Sequence, residues 1–308
     1  MANQTGPGWE DIQGQKYPGY GCCIYCGSDG GSDGLRDEHI IPYSLGGNTE
    51  IENASCRDCE RRINPVDTHM ARAVFGEYRI HAGVQTRYPK DRPTSLRAQF
   101  TVNDQELALD LPVQDHPYSL ALPVWGDAGF LRSAAIDAPF PEPFMHIYHY
   151  MPVNMRQTLG LTDTDEFKVW SGGRLDATLF ARGIAKIAYC HMVLKYGLDG
   201  FCALALPDVI LGRFSGVSYF VGGPLTIPPP PFAKGQRHAI RYVDLDGLPA
   251  HDTMLGALKL HLVYVRLFSD SAYQQHGMPI YHVIAGARRT PKIIARRPPP
   301  DTPRLIRL

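Results

Sequence analysis

Cys23-Ile24-Tyr25-Cys26 and Cys56-Arg57-Asp58-Cys59 bracket a stretch that reads Asp37-Glu38-His39-Ile40-Ile41-Pro42, then Leu45-Gly46-Gly47, then Asn53. In a C-x2-C pair a tight turn points both sulfurs at one metal ion about 2.3 Å away, and two such pairs close one tetrahedral site. A shell made only of Cys23, Cys26, Cys56 and Cys59 thiolates leaves no open coordination position, so a Zn2+ held there is expected to be structural and to activate nothing. Five of the seven cysteines (Cys22, Cys23, Cys26, Cys56 and Cys59) precede residue 60, and only Cys190 and Cys202 follow. An odd number of cysteines without a secretion signal argues against a disulfide framework and for metal ligation in a reducing compartment. Cys22, one residue outside the pair spacing, reads as a small apolar packing residue.

Working outward, the chain has 308 residues, 44% hydrophobic and 20% charged, which excludes a wholly disordered protein and is long enough for about two domains. Lysine plus arginine (31) equals aspartate plus glutamate (31), so any basic surface must be local. Residues 1–21 are polar and Gly-rich with no apolar core of signal-peptide length. The most apolar later stretch, Leu255 to Phe268, is broken by Lys259, His261 and Arg266 and falls short of the ~20 apolar residues of a membrane span. These features lead us to expect a cytoplasmic protein without a membrane partner.

The expected organisation has five parts. Residues 1–20 form a flexible leader and residues 21–78 a module in the order turn, strand, turn, helix. Its helix is expected to start near Asn53 or Ala54 and to end or kink at Pro65, with a second helix over Val66 to Phe75. Residues 79–98 read as a basic linker in which Arg87, Lys90 and Arg92 lie among Pro89 and Pro93 and are expected to touch a phosphate backbone. Residues 99–287 read as an α+β region. In it Gln99 to Leu111 alternates as a strand pair would, Pro112 to Pro143 looks irregular, and Leu175 to Tyr196 is a helix stopped by Gly197. Strands are expected at Val217 to Val221, His238 to Leu245, Leu258 to Phe268 and Ile280 to Ala285, with a polyproline connector at Pro228 to Pro231. Residues 288–308 read as a basic, Pro-rich tail. His146, His149, His238 and His282 read as packing residues, and Lys186 and Cys190, one turn apart, as ordinary helix surface or core.

As a set, Glu38-His39-Ile40-Ile41-Pro42, Gly46-Gly47, Asn53 and the flanking cysteine pairs resemble the HNH nuclease module, the ββα-metal fold. The resemblance implies an α+β chain with an N-terminal zinc-stabilised ββα module followed by a larger α+β domain of unknown fold. It further implies a metal-dependent endonuclease acting on DNA. Cutting a phosphodiester needs an activated water and charge stabilisation at the leaving oxygen. A neutral imidazole supplies the first and a hard divalent cation on carboxylate oxygens the second. Carried over, His39 would be the general base and Glu38 a Mg2+ or Mn2+ ligand, with Asp37 as its alternative. Glu60 would be the other ligand, where the family usually has asparagine or histidine, with Asn64 or His69 as alternatives, and the Asn53 amide would pin the loop beneath the histidine. Adjacent strand residues face opposite ways, so bringing Glu38 and His39 to one site demands a distorted strand. Arg57, Arg61 and Arg62 would contact phosphates from the helix. The rival expectation is a catalytically inactive zinc-knuckle protein that binds nucleic acid or acts as a sensor. In either case the C-terminal region would select the substrate, pair with a second copy or bind a regulatory partner.

Overall fold

The computed structural model describes residues 9–10, 14–170, 175–223, 238–245, 260–268 and 279–288. Strands β1 (Trp9–Glu10) and β2 (Lys16–Tyr17) are short. Strands β3 (Leu35–His39) and β4 (Glu50–Cys56) lead into helix α1 (Arg57–Thr68), which continues through a π-helical stretch at His69–Val74 to α2 (Gly76–His81). Then come β5 (Ser95–Val102), β6 (Gln105–Pro112), β7 (Tyr118–Val124), β8 (Phe144–Tyr150), α3 (Met155–Thr158), β9 (Phe167–Trp170) and the long helix α4 (Ala177–Tyr196). After α4 follow β10 (Phe201–Cys202), α5 (Leu206–Ile210), α6 (Val217–Phe220), β11 (Val221–Gly222), β12 (His238–Leu245), β13 (Leu260–Leu267) and β14 (Tyr281–Arg288).

The largest sheet has the order β1-β12-β13-β14-β10, with β11 also on β14; the others are β2-β4-β3, β6-β5-β9 and β7-β8. Helix α4 joins these parts. Asp176 caps it by accepting from the backbone N–H groups of Thr178 and Leu179 at 2.9 and 3.0 Å. Every residue from Phe180 to Val193 except Arg182 is buried, as expected of a helix enclosed on all sides. It packs against α1 and the π-helical stretch, and against β13, β14, α5 and α6. Gly183 allows one of these approaches, because a Cβ there would lie 2.0 Å from the Met70 sulfur. Among the described residues one apolar core therefore runs from Cys23 to Ala287, and Ala98, Phe100, Leu111 and Met155 form a separate small cluster.

Several elements differ from the sequence reading. The segment read as a leader contributes β1, antiparallel to β12, and β2, parallel to β4. Helix α1 begins at Arg57 because Ser55 and Cys56 still pair with Arg36 and Leu35 across the sheet. Helix α1 does not end at Pro65 but passes through it to Thr68, with the ring on an exposed position while Ile63, Val66 and Met70 stay buried. The missing Pro65 N–H is the cost. Residues 217–221, expected as a strand, form α6 and the first residue of β11, and the supposedly irregular 112–143 contains β7. The polyproline connector at 228–231 and the tail from residue 289 onward lie outside the described residues. Among the described residues no helix is long and apolar enough to cross a membrane.

Candidate active site

The two cysteine pairs converge. The sulfurs of Cys23, Cys26, Cys56 and Cys59 all lie within 4.8 Å of one another, with Cys26 and Cys56 3.6 Å apart. The first pair sits in a tight turn closed by Gly27 N–H on the Cys23 carbonyl at 2.8 Å; the second straddles the start of α1, Cys56 capping it and Cys59 in its first turn. Hydrogen bonds from Cys23 and Cys59 lower the pKa of the Cys26 thiol, while the contacts with Cys23 and Cys26 raise that of Cys59. The donor set fits one tetrahedral, structural Zn2+. Helix α4 fastens this turn from behind: Tyr189 OH donates to the Ile24 carbonyl, and Tyr25 OH lies 3.3 Å from Cys190 Sγ.

Between the cysteines, β3 and β4 form an antiparallel pair broken by an irregularity between Arg36 and Glu38. Asn53 takes the left-handed conformation there (φ 48°), and its backbone N–H donates to Asp37 Oδ1 at 3.0 Å. After β3 the chain turns back through Gly46, at φ 92°, and Gly47, whose absent Cβ would lie 1.9 Å from the Ile41 carbonyl. This is the physical need for the Gly-Gly pair. The register then sets His39 opposite Glu50, and the imidazole Nδ1 lies 3.3 Å from Glu50 Oε2. Glu50 also pairs with Lys16. The His39 side chain is 19% exposed, and its Nε2 has no hydrogen-bond partner among the described residues. Burial pushes the His39 pKa below its ordinary value, against the opposing charge of Glu50, so the ring is neutral at pH 7.

Glu38, one residue earlier, points the other way into the protein. Its Oε1 lies 2.7 Å from Lys186 Nζ, on α4. The same ammonium donates to the His39 carbonyl at 2.7 Å and approaches Asp67 Oδ2 at 3.5 Å. Burial alone would lower the Lys186 pKa, but the charges of Asp67 and Glu38 outweigh it and hold the pKa above the ordinary lysine value. Burial holds the Glu38 carboxyl above its ordinary pKa, with Lys186 opposing the shift and Asp67 adding to it. Glu60 is elsewhere engaged, its carboxylate 3.3 Å from Arg36 Nε. Among the described residues, the four cysteines are the one set of three or more His, Cys, Asp or Glu ligand atoms gathered within 4.8 Å. Glu38, His39 and Glu60 therefore do not converge as a three-donor shell, and Glu38 and Glu60 as placed do not fit a shared divalent cation. Asn53 is exposed in the strand irregularity, and the group that touches the His39 ring is Glu50. Of the alternative ligands, Asp37 accepts from Asn53 and His69 Nε2 accepts from the Asp176 N–H at 3.0 Å.

Comparison with family descriptions matches residues 23–74 to HNH endonuclease. Those residues are an HNH-type ββα module with a four-cysteine zinc site. Comparison with curated proteins and with solved structures finds no match. The HNH match ends at Val74, and the mixed α/β region beyond it has no assigned fold.

Around the HNH module the basic residues divide into two groups. Arg87 places its guanidinium 5.8 Å over the Tyr43 ring, and that ring lies 5.5 Å from His39, so Arg87 belongs to the surroundings of His39. Arg57 and Arg61 pair with Asp33 and Asp58, each at 3.3 Å, and Arg62 is exposed on the same helix. Lys90 is exposed in a short turn, and Arg92 is tied to the Val84 carbonyl. Sequence reasoning missed Glu50, Lys186 and Asp67. Glu50 could have been found only by fixing the β3 and β4 register, while Lys186 carried one signal, a charge set among Ile184, Ala185, Ile187 and Ala188 at mid-helix.

Proposed function

We propose that the HNH module is an endonuclease that hydrolyses phosphodiester bonds in DNA, with His39 as general base. The observation that carries this reading is the contact between His39 Nδ1 and Glu50 Oε2 at 3.3 Å. With Nδ1–H directed at the carboxylate, the imidazole presents the lone pair of Nε2. That nitrogen takes a proton from water, the water oxygen attacks phosphorus, and Glu50 stabilises the imidazolium that results. The bond to the 3′ oxygen breaks, giving a 5′ phosphate and a 3′ hydroxyl. Arg87, over the Tyr43 ring, would pair with a neighbouring phosphate, and Arg57, Arg61, Arg62, Lys90 and Arg92 would add sequence-independent backbone contacts. The zinc held by Cys23, Cys26, Cys56 and Cys59 keeps the strand pair and α1 in register. Glu38 and Glu60, engaged by Lys186 and Arg36, do not fit the shared Mg2+ or Mn2+ ion that the resemblance calls for. The α/β region beyond the module would position or restrain the DNA, and cysteines spaced for metal suit a reducing, cytoplasmic setting.

A second reading, a nucleic-acid-binding or sensor protein without turnover, is favoured by the capture of Glu38 by Lys186 and of Glu60 by Arg36. Plasmid nicking in Mg2+ or Mn2+ separates the two. Under the endonuclease reading the wild type nicks and His39→Ala slows it by about 10²- to 10⁴-fold, the range of a lost general base. DNA binding without nicking, or nicking indifferent to His39, supports the rival.

A further inference from the structure

We propose that Lys186 is a built-in counter-cation that positions His39, and that Glu38 is its anchor, not a metal ligand. The proposal rests on the endonuclease reading for its kinetic consequences, though its geometry does not. Lys186 is fully buried in the middle of α4, 147 residues from His39 in sequence. An ammonium has three donors. Here they meet three acceptors: the Glu38 carboxylate at 2.7 Å, the His39 carbonyl at 2.7 Å and the Asp67 carboxylate at 3.5 Å. One acceptor is a side chain of β3, one is the backbone of β3 and one belongs to α1, so a single nitrogen joins β3, α1 and α4.

Two of these contacts hold consecutive residues at the end of β3. Pinning the Glu38 side chain and the His39 carbonyl fixes the peptide that carries the imidazole, and what remains is rotation about the His39 side-chain bonds. Glu50 limits that rotation from the opposite side through Nδ1. The strand is thus held on its inner face by the Lys186 charge, while on its outer face the Glu50 carboxylate stands 3.3 Å from the ring. A base displaced by about 1 Å loses on the order of 10²-fold in rate, so such a clamp has kinetic weight.

The same contacts argue against Glu38 as a ligand. Mg2+ keeps most of its water shell and demands near-octahedral geometry. The Glu38 side chain is 9% exposed with an ammonium already on Oε1, so a hydrated dication would have to displace the lysine and bring its water into the core. Nor is stability a sufficient account of the lysine. Buried ion pairs are commonly matched or bettered by well-packed apolar residues, and α4 is apolar at nearly every other buried position.

The test uses the full-length, zinc-loaded chain. Lys186→Met alone strands a buried carboxylate and can fail to fold, so the decisive variant is Glu38→Leu with Lys186→Met, which removes both charges. We expect this double variant to keep its zinc, its melting temperature and its KM, to lose about 100-fold in kcat, and to show displaced His39 ring signals by NMR. Glu38→Gln, which still offers Lys186 an acceptor, should lower kcat but leave the half-saturating Mg2+ or Mn2+ concentration where it was. Wild-type kcat in the double variant, or a marked rise in the half-saturating metal concentration for Glu38→Gln, would overturn the proposal. If the wild-type chain nicks nothing, the endonuclease reading falls and the NMR arm decides the clamp alone: moved His39 signals support it, and unmoved ones reject it.

Discussion

Glu50 pairs with both Lys16 and His39, and under the proposed role of His39 as general base its pH behaviour follows from that contact. Burial lowers the His39 pKa and Glu50 opposes the shift, so removing the carboxylate charge lets the pKa fall further. A general base works when deprotonated. The nicking rate should therefore fall on the acid side through a pKa below about 6.5. In Glu50→Gln that acid limb should move to still lower pH, while the plateau drops because the ring loses its charged anchor. Single-turnover rates measured across the acid range check this, and an acid limb that stays put or moves upward removes Glu50 as the partner of His39. The cysteine cluster was legible in the sequence because its signal is spacing within short segments. Glu50 was not, because its identity as partner depends on the pairing of β3 with β4, and the irregularity beside Asn53 shifts that pairing in a way no local pattern encodes.

Helix α4 shows what periodicity can and cannot report. Its extent was readable from apolar steps and from Gly197, but its apolar residues surround the axis, so no face announced what it packs against. The opposite failure occurs at residues 217–221, where Val217, Tyr219, Phe220 and Val221 favour a strand on composition and the segment is too short for periodicity to decide. Burial on α4 also carries a consequence for acid stability. His191 is fully buried, its ring nitrogens have no hydrogen-bond partner among the described residues, and burial brings its pKa down to about 4 despite Glu10 nearby. The folded state thus prefers the neutral ring. Its contribution is fully present above the unfolded pKa near 6.5 and is lost as pH falls toward about 4. Between pH 7 and pH 5 the loss from this group should be about 2 kcal/mol. Urea unfolding at the two pH values measures it, and His191→Leu should flatten the difference; an unchanged pH slope in that variant would place the acid sensitivity elsewhere.

At the scale of the whole molecule, the large sheet was the least legible part because its pairings are remote in sequence: Trp9 and Glu10 of β1 lie against Arg241 and Ile240 of β12. The zinc-bearing turn was legible alone, yet nothing local tells that it shares a core with β13 and β14. That sharing decides how the protein responds to losing its metal. Structural zinc sites contribute their binding free energy to folding. If the module were packed independently, chelation would melt residues 23–74 and leave α4 and the large sheet intact. Here Tyr25 meets Cys190, Tyr189 holds the Ile24 carbonyl, and Cys23 and Cys59 belong to the same buried cluster as Ile184, Val263 and Ile284. Cys59→Ser, or removal of zinc with a strong chelator, is therefore expected to lower the melting temperature by at least about 10 °C, as a loss of several kcal/mol implies. The loss of amide protection by hydrogen exchange should spread over β3, β4 and α4 together. Exchange confined to β3, β4 and the first turn of α1, with α4 still protected, would mean that the turn is an appendage and that the continuous core does not couple the two halves.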